Sequence, residues 1–417
     1  NPYLSLDKSF EADTVRALGR IVANGHLEKG EKPVHWCMDC GSALAEAEVE
    51  YQDKVSHSID VKFSVTPTNL NSTCSAFYTK PISDLSMVIW TTTPWTIPSN
   101  VAVCVNENIT YVLVESSQGN LIIAEDLLDD CSQRWGMELK VLGRTTGNSL
   151  ANLSLQHPLY QRESKVLLGD HVTTENGTGC VHTAPAHGLD DYFICIKHKL
   201  ESIKALDNRG IFKEEYGSLA GMSTKKGDPV VIELLQDANA LIATKEYEHS
   251  YPHCWRHKTP LIFMATPQWF ISMKKSGLVE GAINAVSQVT WEPEWGAQRI
   301  LSMLEDRPDW CISRQRNWGV PIPLIIHSET GNIHPKQNLL FNEIADVIEQ
   351  EGIEGWDNLD LSTLIDDADQ YTKVRDTLDV WFDSGVTHMC VLDKLYGADV
   401  IADLYLEGSD QHRGWFQ

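Results

Sequence analysis

WTTTPWTIPSN, residues 90–100, sets three threonines between an apolar run (Met87, Val88, Ile89, Trp90) and a proline. Pro94 disfavours the helical region for the residue before it, so the threonines lie extended at a strand end. In an extended chain Thr91 and Thr93 face one way and Thr92 the other. Threonine is at home in any strand. Three in a row beside two tryptophans also suit the polar wall of a pocket.

The sequence around this stretch has the same short-strand texture. Ile59, Val61, Phe63 and Val65 alternate, and 111–114, 121–124 and 165–168 are apolar runs separated by turn residues. Helical patterns interrupt at 125–135 and 228–238, giving a mostly β domain over 49–240. Before it, Val15, Leu18 and Val22 recur at helical spacing over 10–24, with Gly25 as the stop. AEAEVEY at 45–51 alternates like a strand with one wet face, although alanine and glutamate would also suit a helix. Beyond Tyr251 the chain is rich in tryptophan and proline. There 322–326, 378–382 and 403–406 read as buried strands around a helix at 342–350, the pattern of an open α/β sheet. The expected order is a connective segment (1–48), the β domain (49–240), a return segment (241–300) and an α/β region (301–417).

At 417 residues the chain has room for several cores. Its net charge of −24 argues against a general basic face for nucleic acid. No apolar run reaches membrane-span length, so no membrane partner is expected. Ten cysteines form one CxxC pair and otherwise stand apart, which favours a reducing, cytoplasmic compartment over a disulfide framework. The chain opens on Asn1 with no signal peptide and reads as a piece of something longer.

Three constellations carry chemistry. Cys37 and Cys40 (CMDC) pair with Cys254 and His257 (CWRH) as two x₂-spaced knuckles, the donor set of a closed Cys₃His zinc tetrahedron. A redox CxxC is the alternative, although HWCMDCGSA supplies no obvious strand-then-helix setting for one. A metal joining the knuckles would pin together the two ends of an inserted β domain. The second constellation is GTGCVHTAPAHGLDDY, 177–192. Asp190 and Asp191 open a helix and could simply cap it. His182 could be a hydrogen-bonded core residue, or His182, His187 and Asp191 could ligate the metal of a hydrolase. In the third, YLEGSDQHRGWF (405–416), Glu407 projects beyond a strand end, where open α/β sheets bind ligands, and Trp381 in DVWFDSG ends another strand alike.

Taken in order, these motifs together with SRQRNWG resemble the isoleucyl-tRNA synthetase family of class I aminoacyl-tRNA synthetases over essentially the whole chain. Valyl and leucyl relatives carry TTRP in the threonine stretch, so Thr93 before Pro94 points to isoleucine. The resemblance implies an α/β Rossmann catalytic domain, partial here, interrupted by a mostly β editing domain with zinc-knuckle flanks. It implies attachment of isoleucine to tRNA(Ile) through an isoleucyl-adenylate, using ATP with magnesium, by a cytoplasmic and monomeric full-length enzyme. One methylene in an apolar pocket discriminates only about 10- to 200-fold, a range for which this family is itself the usual worked case. A second, hydrolytic site therefore removes valine from Val-tRNA(Ile). By resemblance that site is Thr92, Asn100, His182 and Asp191. Asp191 would hold the substrate's α-ammonium, Thr92 and Asn100 would orient the misacylated end, and His182 would narrow the side-chain pocket. Direct attack by water is expected, with Cys180 the one nucleophile to consider. Glu407, Gln411, Trp415 and Trp381 match the isoleucyl-adenylate site. The family's HIGH and KMSKS motifs do not occur in these residues, so this stretch is expected to edit without activating isoleucine. The competing readings are a free-standing aminoacyl-tRNA deacylase, a valyl- or leucyl-type synthetase, a zinc-ribbon RNA-binding module and the metallohydrolase.

Overall fold

In the computed structural model, residues 3–77, 82, 84–305, 307–398 and 400–417 are described, apart from the side chain at 276. Ten strands form one sheet in the order Leu241–Cys254, Val49–Val65, Ser154–Gln156, Glu163–Leu168, Ala102–Val105, Val181–Thr183, Ser86–Thr91, Gly119–Ala124, Thr110–Ser116 and Lys140–Thr146. Val49–Val65 also pairs antiparallel with Ser86–Thr91, so the strands from Val49–Val65 round to Ser86–Thr91 close into a barrel. The alternation at 59, 61, 63 and 65 is the inward face of its longest wall: Ile59, Val61 and Phe63 are fully buried. Closing the ring removes edges that would otherwise expose unpaired backbone.

The barrel brings the two central motifs together. Gly177 and Gly179 take φ of 85° and 74°, and a Cβ at Gly179 would collide with the Ala124 side chain. This glycine turn sets Val181–Thr183 parallel to the threonine strand, with Val181 beside Trp90, and antiparallel to Ala102–Val105, with His182 beside Val103. Motifs some ninety residues apart in sequence thus become neighbouring strands.

The chain divides into two units, Lys32–Asp39 with Glu50–Thr266, and Asn1–Glu31 with Cys40–Val49 and Pro267–Gln417. In the first, the incoming strand Pro33–Cys37 pairs antiparallel with the outgoing strand Ile262–Ala265. The other is built on the helix Lys8–Ala23, which packs on Gln337–Glu351. Asp7 caps the first helix by accepting from Ser9 N, and Gly25 follows its end at φ 77°. Gly19 lets the helices approach closely, since a Cβ there would meet Phe341 at 2.9 Å. The expected helices at 10–24, 125–135, 228–238 and 342–350 are all present.

Four expected strands differ, and that at 322–326 is confined to Ile325–His327. AEAEVEY begins as a 3₁₀ turn, Glu46–Glu48, because the Glu48 carboxylate folds back to accept from the Ala45 N–H. At 378–382 the strand is only Thr377–Leu378; Asp379 then accepts from Trp381 N and caps the helix Val380–Gly385. Residues 403–406 form no strand, and none pairs with them among the described residues; Leu404 and Leu406 are exposed. An apolar run becomes a strand only where a neighbouring strand offers backbone partners. Among the described residues no helix is long and apolar enough to cross a membrane.

Candidate functional site

The threonine strand ends at Thr91 and turns into the 3₁₀ helix Pro94–Ser99, with Pro94 at its first position and every residue of it buried. Thr91 and Thr93 share a face, their hydroxyls 3.1 Å apart, while Thr92 stands half-buried outside that pair. The 3₁₀ turn adds Thr96, whose hydroxyl donates to Thr93 O at 2.8 Å and lies 2.9 Å from His182 Nε2.

Asn100, fully buried, closes the other side of His182. Its Nδ2 donates to Ala102 O and to His182 Nδ1, each at 2.8 Å, and its Oδ1 accepts from Ser164 Oγ at 2.5 Å. With Nδ1 accepting, His182 must carry its proton on Nε2 and donate it to Thr96. Burial, with His187 nearby, pulls the His182 pKa down to about 3, so the ring is a neutral, doubly anchored wall.

Asp191 sits in the first turn of the helix Leu189–Lys197 and accepts from Ala184 N at 2.8 Å. Burial raises its carboxyl to about 6, against the lowering effect of the Ala184 N–H. Gly188 makes room for this fold-back, because a Cβ there would meet Asp191 Oδ2 at 2.8 Å. The chain here thus holds one carboxylate, ionised at neutral pH, bonded two residues beyond the neutral His182 that Asn100 and Thr96 anchor. That set can bind an ammonium group and orient an ester and a water.

The competing chemistries do not fit. His187 directs Nδ1 to Phe263 O at 2.9 Å and Nε2 to Ser99 Oγ at 3.2 Å. With both nitrogens of His182 and His187 engaged, neither is available to a metal. Cys180 is buried and its thiol pushed well above the ordinary range, so it is no ready nucleophile. The family resemblance names Thr92, Asn100, His182 and Asp191; it does not name Thr96 and Ser164, which anchor His182 and Asn100, or Gly188, which admits Asp191.

The ligand atoms of Cys37, Cys40, Cys254 and His257 lie within 4.8 Å of one another. Cys37 Sγ and Cys254 Sγ are 3.7 and 3.8 Å from His257 Nδ1. A zinc tetrahedron with ordinary Zn–S and Zn–N bonds has S···N edges of roughly 3.6 Å, so the donors fit that ion in kind, number and spacing. They form the one such group among the described residues.

In the other unit, Trp415 N donates to Gln411 Oε1, and Trp415 Nε1 donates to Ser384 O, both at 3.1 Å. Trp415 stacks on Tyr405 with centroids 3.6 Å apart. A Cβ at Gly414 would touch Trp381 at 3.3 Å, so Trp381, Gln411 and Trp415 meet around this turn. Glu407 is exposed on the unpaired segment before it. Asp383, beside Trp381 in sequence, is raised to about 7 by burial and by Asp379. Beneath these loops Arg314 bridges Asp379 at 2.9 Å and Glu48 at 3.1 Å, all three almost fully buried. A surface cavity of about 660 Å³ in this unit, bounded by Lys29, Trp269 and the 330–333 turn, is lined by none of the predicted site residues.

The family of class I tRNA synthetases (I, L, M and V) matches residues 1–417, and the chain belongs to it. Relatives within that family include isoleucine–tRNA ligases. That of Idiomarina loihiensis is 52% identical over 429 residues, and that of Thioalkalivibrio sulfidiphilus 54% identical over 419. Each alignment covers 100% of this chain and 45% of the relative, so the chain spans a little under half their length. Among solved structures, the P. knowlesi cytosolic leucyl-tRNA synthetase editing domain aligns at 12% identity and a TM-score of 0.38, over 47% of this chain and 97% of that one. The GlLeuRS-CP1 structure aligns at 16% identity and a TM-score of 0.37, over 46% and 100%.

Proposed function

We propose that residues 49–240 form an editing domain that hydrolyses Val-tRNA(Ile), within a longer protein that charges tRNA(Ile) with isoleucine using ATP and magnesium. Residues 1–48 and 241–300 serve as its connective segments and 301–417 as part of the synthetic domain, with Glu407, Gln411, Trp415 and Trp381 about the adenylate. Asp191 holds the α-ammonium of the esterified amino acid by a charge-assisted contact. Thr92, whose hydroxyl lies outside the threonine network, orients the ester end. Asn100 was expected to bind that end too, but its amide is spent on Ala102, His182 and Ser164, so it acts by fixing His182. His182 limits the side-chain pocket, and a positioned water attacks the ester.

The observation that carries this reading is the buried clamp of Asn100 and Thr96 on a neutral His182, with the Asp191 carboxylate set on the next turn of chain. Asp191→Asn keeps the shape and the bond from Ala184 but removes the charge. It should lower valine release from Val-tRNA(Ile) about a hundredfold, near the upper end for loss of a buried charged contact. Release at the wild-type rate by the folded variant would refute the ammonium role.

The four-ligand knuckle holds one structural zinc in this reading, closing the foot of the editing domain where its two strands pair. The full-length protein acts as a cytoplasmic monomer.

A further inference from the structure

The strand Leu241–Cys254 carries a ladder of rings that the editing chemistry leaves unused. Tyr247, His249, Tyr251 and His253 alternate along it, so they share one face. Consecutive centroids are 5.6, 5.5 and 6.2 Å apart. At its upper end Tyr247 meets Trp90, 5.3 Å away, the residue that opens the threonine stretch. The neighbouring strand Val49–Val65 adds Lys54, whose Nζ lies 4.0 Å over the Tyr251 ring, and Ser56, 3.1 Å from His249 Nε2. Trp90, Tyr247, His249 and Tyr251 are all partly open to solvent.

Charge is sorted across this ribbon. Glu246 and Glu248 alternate to the opposite face and are exposed. Two carboxylates near the ladder are already engaged: Asp60 is held by Arg134 at 2.9 Å, and Asp228 accepts from Trp95 N at 2.9 Å near Lys54. Lys225 also stands within the field of Lys54. On a protein of charge −24, a strip of aromatic rings flanked by lysines is out of character for the surface at large. Stacking rings with a cationic flank are how single strands are bound without sequence readout, and residues two apart on a strand repeat at about 6.8 Å, near the reach of an extended nucleotide.

We propose that this ladder is a stacking track for the single-stranded 3′ end of an RNA, leading along the ribbon to Trp90 and the threonine site. It rests on the editing reading only for which RNA end is delivered. The test measures fluorescence anisotropy of a labelled, uncharged single-stranded octaribonucleotide ending in CCA, titrated with the 417-residue chain. Tyr247→Ala with Tyr251→Ala should weaken binding at least about tenfold, as expected for lost base stacking. Tyr247→Phe with Tyr251→Phe should bind as wild type, and Lys54→Gln should weaken binding and flatten its salt dependence. An alanine pair that melts like wild type and binds as tightly overturns the proposal, as does a phenylalanine pair that binds as poorly as the alanine pair. Val-tRNA(Ile) hydrolysis is read in parallel. A chain that binds through these rings but releases no valine keeps the track and loses the editing reading. One that releases valine while the alanine pair binds RNA normally keeps editing and loses the track.

Discussion

Asp191 is the residue on which the proposed hydrolysis turns, and its burial gives the reaction a pH signature. Its carboxyl titrates near 6, and only the ionised form attracts an ammonium group. Valine release should therefore fall as pH drops through about 6. His182, held near 3 and neutral throughout, adds no second limb in this range. Initial rates from about pH 5 to 8 check this, and a rate that rises on acidification would contradict it. His182→Ala should admit the larger side chain and allow release of isoleucine from Ile-tRNA(Ile), which the wild type should spare. Thr92, Asn100, His182 and Asp191 were named only through the resemblance of WTTTPWTIPSN and GTGCVHTAPAHGLDDY to the synthetase family. Thr96 and Ser164 were not, because a hydroxyl's partner depends on how a 3₁₀ turn and a distant strand come to rest. Nor was Gly188, whose value is the absence of a Cβ beside a folded-back carboxylate.

At the scale of elements, the barrel strands were legible because alternation such as 59, 61, 63 and 65 is imposed by a buried inner face. The loops about 314 and 379 were harder to read, since they are organised by a buried ion cluster rather than by periodicity. DVWFDSG looks like a strand by its apolar run, yet Asp379 caps a helix there while also receiving Trp310 Nε1 at 2.7 Å and facing Arg314. Removing the cation would leave buried Glu48 with only the longer Arg316 contact, 3.8 Å, as an ion pair, and buried Asp379 with hydrogen bonds from Trp310 and Trp381 alone among the described residues. Arg314→Met should cost about 3–5 kcal/mol in the unfolding of this unit, read by urea denaturation. A loss within about 0.5 kcal/mol, the range of an ordinary surface substitution, would show that the carboxylates find other partners.

At the scale of the molecule, the donors of the two x₂-spaced knuckles lie together, and Pro33–Cys37 pairs with Ile262–Ala265. Metal analysis should find one zinc per chain. Cys37→Ser should lose it and lower Tm by roughly 5–10 °C, as for about 2–3 kcal/mol in a unit of this size. An unchanged Tm with zinc absent from wild type would remove the metal from the account. What could not be read was the segment at 403–406, whose apolar residues find no strand partner among those described. The central claim is that this stretch of a class I synthetase carries a working hydrolytic sieve. Its most direct test gives the 417-residue chain Val-tRNA(Ile) and Ile-tRNA(Ile) side by side and follows release of each amino acid. Valine should be freed while isoleucine stays esterified; folded protein that leaves both esters intact, or cleaves both at the same rate, would contradict the account.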